Sequence, residues 1–368
     1  MTAGVTGGGA AGGAAGAAGA VLAIGEIRTG LLQNSTSVPA DLATRALALQ
    51  PGERVLASER PIAYAVSPDR LTGLDCRLAT KSGARARGVG TAVTRAAITG
   101  GRVLQASTHT LLVRGGADRR LPWAHYLARP GVMEAGGRAG WDDLADGFLA
   151  AQPGTLDLAA LNERILADLV VRPELDRRPP FRVQRTTLRW VAQSVESPGA
   201  AARAGGRREA GAAGGAGGAG AVEPEDAGAT AQFWLATGTL RTARLTLPVS
   251  QLPVVVELCE DLALHDWLLT TVTGLIERSR PGTAAGSAAG SAGDSAAVAR
   301  LRPAVDHLLH LWMPAARVDR RLLPLWESLE RRPGFTRQWN VSVNRIRDQI
   351  AVTTVGLLGV VAEGVARA

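Results

Sequence analysis

Residues 251–278 read QLPVVVELCEDLALHDWLLTTVTGLIER. Apolar side chains recur every three or four residues in this stretch, which predicts a long helix. Three later segments have the same periodicity, and Pro324 is expected to kink the second of them. These predicted helices are 296–312, 318–329 and 336–361. Together with the first, they predict a C-terminal bundle of about four helices within residues 248–368.

Two short runs in these helices share the pattern Asp-x3-His-x-Trp. Asp261 precedes His265 by four residues, Asp306 precedes His310 by four, and a Trp follows each His two residues later. Residues four apart share one face of a helix. If the two faces meet, carboxylates and imidazoles converge as a metal or acid–base site. The alternative is that each Asp orients its His as a polar core group or pairs with a nearby Arg, while Trp267 and Trp312 pack in the core. The runs lack the Glu-x-x-His or His-Glu-x-x-His spacing of known metal helices.

The strongest local signal in the N-terminal half is a β-hairpin. Segments 89–98 and 103–113 are rich in Val, Thr, Leu and Ile, and Gly100-Gly101 lies between them. Two adjacent glycines adopt the positive φ angles of a tight primed turn without strain. The sequence therefore predicts two antiparallel strands joined at this turn.

The rest of this half predicts further strands and a few helices. Asp157 is expected to cap the last of the helices. Strands 181–195 and 231–247 are predicted to pair as antiparallel neighbours. The other predicted elements are strand 21–32 and helices 38–49, 142–151 and 158–171. The fold class is predicted as α+β, with an antiparallel β-rich part followed by the helical bundle.

Three Gly/Ala/Ser-rich tracts interrupt these elements at residues 1–20, 198–229 and 280–295. Such composition buries too little apolar surface to offset chain entropy, so all three are predicted to be flexible. The predicted organisation is a tail, a β-rich α+β domain over residues 21–247, and the helical domain after it; the alternative is that tract 198–229 separates two domains.

Composition excludes several classes of protein. Two cysteines in 368 residues provide neither a disulfide framework nor a zinc cluster. The formal charge is +8, yet Lys81 is the one lysine among 41 basic residues, which indicates a GC-rich coding bias. Segment 251–278 carries five acids and residues 300–348 carry ten arginines. Because these charges are complementary, nucleic-acid binding is not expected to be the main role.

Neither secretion nor membrane insertion is expected from the sequence. The first 20 residues lack the basic start of a signal peptide. No apolar run reaches the roughly 20 residues that a membrane-spanning helix needs. The chain is therefore predicted to be cytoplasmic, with no membrane partner.

Motifs for catalysis and cofactor binding are weak. Residues 83–91 form a Gly/Arg-rich loop, but no Lys-Ser/Thr pair follows and the loop leads into a strand, so a P-loop is not predicted. Two clusters mix arginine with aromatic residues and could bind a base or a peptide by stacking, although such clusters also pack loops. The candidate interaction residues are Trp123, His125, Tyr126, Arg337 and Trp339. No cofactor is identified.

Several segments together resemble one protein family. They include Ser58-Glu59-Arg60-Pro61, Arg87-Gly88-Val89-Gly90-Thr91, His125-Tyr126-Leu127-Ala128-Arg129-Pro130-Gly131 and Pro333-Gly334-Phe335-Thr336-Arg337-Gln338-Trp339. The chain is similar to an uncharacterised family of streptomycetes and related actinobacteria. Its genes tend to lie beside those of a variant P-loop protein and a methyltransferase-like protein. The resemblance implies a component of a multi-protein system and assigns no functional residues.

The function expected from these observations is that of a non-enzymatic interaction or regulatory subunit. Two alternatives remain open at this point. One is an enzyme or metal-binding protein that uses Asp261, His265, Asp306 and His310. The other is a nucleic-acid-binding protein that uses exposed arginines.

Overall fold

The computed structural model describes residues 21–116, 120–195, 229–235, 238–279, 291–332 and 334–367. Residues 1–20, 198–228 and 280–290 of the tracts predicted to be flexible lie outside these ranges. Residues 291–295 of the third tract instead begin a helix.

One ten-stranded sheet organises the N-terminal part of the protein. Its strands are β1 (Leu22–Leu31), β2 (Leu56–Ser58), β3 (Tyr64–Val66), β4 (Arg70–Leu78), β5 (Ala86–Thr99), β6 (Val103–Arg114), β7 (Val132–Gly137), β8 (Thr186–Val195), β9 (Thr230–Leu235) and β10 (Leu240–Pro248). The spatial order is β2-β3-β5-β7-β6-β1-β8-β10-β9, and β4 pairs with β5. Most pairs are antiparallel, whereas β6–β7 and β8–β10 are parallel.

Helices cover both faces of this sheet. They are α1 (Ala40–Leu47), α2 (Trp123–Leu127), α3 (Trp141–Leu149), α4 (Leu158–Val170), α5 (Val255–Ser279), α6 (Ser291–His307), α7 (Leu323–Arg331) and α8 (Phe335–Arg367). Alternate residues of β1 face opposite sides. Ile24 packs in the core beneath α3 and α4, and Ile27 packs in the core beneath α5. The mixed α+β class is therefore confirmed.

The local predictions for the N-terminal half are largely confirmed. Gly100 and Gly101 have φ angles of 58° and 61°, and they join β5 to β6 in antiparallel register. The Asp157 carboxylate accepts a hydrogen bond from the Ala160 amide at 3.2 Å, which caps α4 as expected. Strand β1 and helices α1, α3 and α4 begin and end within a few residues of their predicted bounds.

The predicted antiparallel pairing of 181–195 with 231–247 is wrong. A turn at Gly238, with a φ of 58°, divides the second segment into the β9–β10 hairpin. Strand β10 then lies parallel to β8, with Leu245 opposite Ala192. The positive φ at a single glycine reverses the chain where the composition alone suggested one long strand.

The separate four-helix bundle is not confirmed. Helix α5 lies against β1, β6 and β8. One hydrophobic cluster joins side chains such as Trp190 and Leu245 of the sheet to Trp326 and Ile346 of the C-terminal helices. The helices α5–α8 therefore form a layer on the sheet, and their core is continuous across residue 248.

The helix bounds in this layer also differ from the predicted ones. Helix α6 ends at His307, five residues before Trp312, and a short 3-10 turn over Leu309–Leu311 follows it. Pro324 lies in the first turn of α7, where a proline is tolerated, so it kinks no helix. None of the helices in the described ranges has both the length and the hydropathy of a membrane span.

Strand β7 inserts between β5 and β6 where the hairpin opens, and this insertion depends on Gly90. A Cβ atom at Gly90 would lie 2.2 Å from the Val132 carbonyl oxygen and 2.4 Å from Met133 Cα. These are backbone atoms, so a side chain could be accommodated only by moving β7 away from β5.

We therefore expect Gly90→Ala to lower the free energy of unfolding by about 1–3 kcal/mol. Urea denaturation measures this change. Gly116→Ala is the matched control, because a Cβ atom there meets nothing within 4 Å. Equal stability of the two variants would contradict the packing argument.

Candidate functional site

Asp261 and His265 form a buried pair on α5, as the sequence predicted for one face of this helix. His265 Nδ1 lies 2.7 Å from the Asp261 carbonyl oxygen and 3.5 Å from Asp261 Oδ2. Asp261 Oδ2 also accepts a hydrogen bond from the Ala315 amide at 2.9 Å. Burial raises the pKa of Asp261, and the nearby His265 opposes that rise. The carboxylate therefore attaches the segment after α6 to α5.

The His265 ring packs in a group of aromatic side chains, of which only Trp312 belongs to the two runs identified in the sequence. Its centroid is 4.8 Å from that of Trp312, edge to face, and 5.6 Å from that of Trp326. Trp312 in turn stacks on Trp339 at 4.3 Å. The second run thus reaches the first through its Trp. The predicted interaction residue Trp339 belongs to the core and is buried.

Asp306 and His310 do not join Asp261 and His265. Asp306 forms an exposed ion pair with Arg302 at 3.1 Å, and His310 lies on the short turn after α6. The physical reason is the early end of α6: Asp306 remains in the helix, whereas His310 lies beyond it, so the two do not share one helix face. In the described part of the chain, no three His, Cys, Asp or Glu residues are placed to share a metal ion.

The other predicted interaction residues lie on two separate elements. Tyr126 of α2 is buried, and its hydroxyl accepts a hydrogen bond from the Leu121 amide. Trp123 is partly exposed beneath the Arg120 guanidinium, and His125 Nε2 lies 2.8 Å from Glu134 Oε1. Only part of this group is therefore accessible. Arg337 is exposed near the start of α8, away from α2 along the chain.

A second group of buried charges, which sequence analysis missed, lies on α5 and the sheet. The Glu260 carboxylate, 1% exposed, accepts two hydrogen bonds from Arg95 at 2.7 and 2.9 Å. Arg317 Nη2 lies 3.5 Å from Glu260 Oε2, and its guanidinium lies 4.7 Å above the Tyr64 ring. We call Arg95, Glu260 and Arg317 the buried ion cluster. It joins the sheet, α5 and the segment before α7.

Electrostatics in the buried ion cluster keep Glu260 ionised. Burial alone would raise the pKa of Glu260, but Arg95 and Arg317 hold it below its ordinary value. Two other acids lie at the edge of the cluster. Burial raises the pKa of both Asp69 and Glu257, and Arg95 opposes both shifts. The cluster thus has one firmly charged acid between two arginines.

Comparison with protein-family models, with curated proteins and with solved structures found no match. The signal that could have identified the cluster is Glu260 itself, an acid on a helix that carries apolar side chains on most of its sides. Its partner Arg95 is 165 residues away in the chain, a pairing that no local pattern encodes.

His109 on β6 lies near the buried ion cluster as a neutral imidazole. Burial, together with the charge of Arg95, lowers the pKa of His109 to about 4, and Glu260 opposes the shift. Its Nδ1 atom is buried and has no hydrogen-bond partner within the described ranges. The unfolded chain has an ordinary histidine pKa of about 6.5. As pH falls, the unfolded state therefore takes up a proton before the folded state does.

We accordingly expect the His109 contribution to reduce stability as pH falls from about 6.5 to about 4. Between pH 7 and about pH 4.5, the wild type should lose at least about 1 kcal/mol more than His109→Gln does. Guanidinium denaturation at the two pH values measures both losses, and Gln keeps a polar side chain of similar length. Parallel losses in the two proteins would show that His109 titrates alike in both states.

A polar depression lies on the other face of the sheet, between α4 and β4, with a volume of about 350 Å³. Arg70 is 3.7 Å from Glu53 and 3.9 Å from Asp168 at its wall. Three acids and two arginines line it, so it has no dominant sign of charge. This mixture does not select one class of ligand.

Proposed function

We propose that this protein is a non-enzymatic interaction or regulatory subunit of a multi-protein cytoplasmic system, and that it docks through the free end of α8. One observation supports this proposal above the others. Val352, Val355 and Leu358 of α8 are 72%, 70% and 64% exposed. Apolar side chains grouped in this way mark docking surfaces, whereas isolated ones are ordinary.

The first half of α8 is anchored to the protein body. Phe335, Trp339 and Ile346 are buried in the core that also contains α5 and α7. Ile350 also packs against this core, and the helix then continues from Ala351 to Arg367, about 25 Å beyond this anchor. A helix held at one end and exposed at the other can present an apolar surface without disturbing the fold.

The polar groups elsewhere favour a structural role over a catalytic one. Glu260 is held by two arginines, and Asp261 bonds the Ala315 amide. An enzyme built on the two Asp-His pairs is disfavoured, because Asp306 pairs with Arg302 instead. Nucleic-acid binding is disfavoured by the arginines that are already paired with acids in the fold.

The partners we propose are proteins encoded beside this chain, such as the P-loop and methyltransferase-like proteins that its family resemblance implies. The test is affinity purification of the tagged full chain from its native host, followed by quantitative mass spectrometry. We expect a stoichiometric protein that is lost with Val355→Glu. Val341→Glu is the matched control, since Val341 is an exposed valine on the anchored half of α8. Capture that is unaffected by Val355→Glu would contradict docking through α8.

A further inference from the structure

Four exposed side chains on the free end of α8 form a single stripe. Ala351, Val355, Leu358 and Ala362 are all exposed, and they follow one another at spacings of four, three and four residues. This is the spacing at which side chains of one helix interlock with those of a neighbouring helix in a coiled coil. The stripe is therefore suited to a helical partner.

The stripe faces away from the core of the protein. Nine residues separate Ile346 from Val355, and a rotation of about 100° per residue places them about 180° apart around the helix. Ile346 is buried against the body, so Val355 points to the opposite side. The described body therefore covers the side of α8 that carries Ile346 and leaves the stripe on the opposite side.

The order of side chains in the stripe reads the same in both directions. It is small, large, large, small: Ala351, Val355, Leu358, Ala362. A two-fold axis between Val355 and Leu358 would place each alanine opposite the other alanine of a second helix. We infer that the occupant is a second copy of this chain, bound antiparallel through α8. This inference rests on the proposed docking role of the helix: the occupant of the stripe is a second copy, and the α8 dimer is then the form that captures the neighbour-encoded proteins.

Charge and area set the strength of this contact. Residues 349–362 contain no charged side chain, whereas the whole chain carries a formal charge of +8. Two copies therefore attract through apolar surface and repel elsewhere, so added salt should strengthen the dimer. The free end from Ala351 to Arg367 is about 25 Å long and about 10 Å wide. Such a strip is smaller than a standard interface, which predicts a reversible, concentration-dependent dimer.

The first test is sedimentation velocity of the purified full chain from about 5 to about 300 µM. We expect the mass to rise from monomer to dimer, with a midpoint that shifts to lower concentration between about 0.15 and about 0.5 M NaCl. Val355→Glu should weaken the dimer at least tenfold. Val341→Glu, the same substitution outside the antiparallel overlap, should dimerise as the wild type does.

Cysteine cross-linking tests the orientation. The background is Cys76→Ser, because Cys259 is fully buried and Cys76 is not. In an antiparallel dimer, Ala351→Cys and Ala362→Cys cross-link when mixed, and neither variant cross-links alone. Self-cross-linking of Ala351→Cys alone would indicate parallel helices and overturn the inference.

A chain that stays monomeric across the whole range, or a dimer that survives Val355→Glu, also overturns the inference. The proposed function is judged separately. A monomer that loses a captured heterologous protein with Val355→Glu would leave that function standing with a different partner. Circular dichroism of each variant confirms that the fold is retained.

Discussion

Glu260→Ala is expected to lower the free energy of unfolding by about 3–5 kcal/mol, because it leaves two arginines without their shared acid. Arg95 donates two hydrogen bonds to this carboxylate, and Arg317 approaches it at 3.5 Å. Burial makes an unpaired guanidinium costly, since the protein interior solvates a charge far less well than water does. The segment before α7 should also loosen, because Arg317 is one of its attachments to α5.

Guanidinium denaturation at pH 7 measures this loss. Glu260→Gln keeps the shape and separates the effect of charge from that of packing. Asp306→Ala is the matched control, since the Arg302–Asp306 pair is solvent-exposed and should contribute at most about 1 kcal/mol. A loss with Glu260→Ala as small as that of the control would mean that the buried ion cluster is hydrated and adds little stability.

Trp267→Ala is expected to lower the free energy of unfolding by about 3–5 kcal/mol relative to the wild type. Trp267 is 0% exposed within the core shared by the sheet and the C-terminal helices. Its Nε1 atom donates a hydrogen bond to the Gln184 carbonyl oxygen at 3.0 Å. The alanine variant therefore creates a cavity and also leaves a carbonyl group without its donor.

Thermal and urea denaturation of the alanine variant measure this effect. Trp267→Phe should lose less, because it fills most of the cavity and lacks only the donor. Trp234→Ala provides the control, since Trp234 on the edge strand β9 is 45% exposed. Equal losses for Trp267→Ala and Trp234→Ala would show that α5 is not packed against the sheet as described.

Features that depend on neighbouring residues could be predicted from the sequence. The turn at Gly100 and Gly101 needs two positive φ angles, and the cap at Asp157 needs one side-chain oxygen near a free amide. Both requirements are met within a few residues of chain. The predicted α+β class follows from many such local signals added together.

The arrangement of these elements could not be predicted in the same way. Helix α5 carries apolar side chains on most of its sides, which suits a bundle core as well as a layer between a sheet and other helices. The choice between these arrangements depends on β1, β6 and β8, which are distant in the chain. The parallel pairing of β10 with β8 depends likewise on one turn at Gly238.

In the candidate site, too, contacts within one helix could be predicted and contacts between distant elements could not. The i to i+4 spacing correctly placed Asp261 beside His265, because both lie on one helix. It failed for Asp306 and His310, because α6 ends at His307 and the helical geometry does not extend to His310. The Glu260–Arg95 pair had no local signal, since its members lie on different elements.

The position of β9 beside β10 has a consequence for protein engineering. Val195, at the end of β8, and Thr230, at the start of β9, are separated by two strand spacings and about two residues of register. This corresponds to about 12 Å, which four extended residues can span. The connection between them is 34 residues long. Its length can therefore change without moving the sheet, and this site should accept a shortened loop, an inserted reporter domain or new termini in a circular permutant.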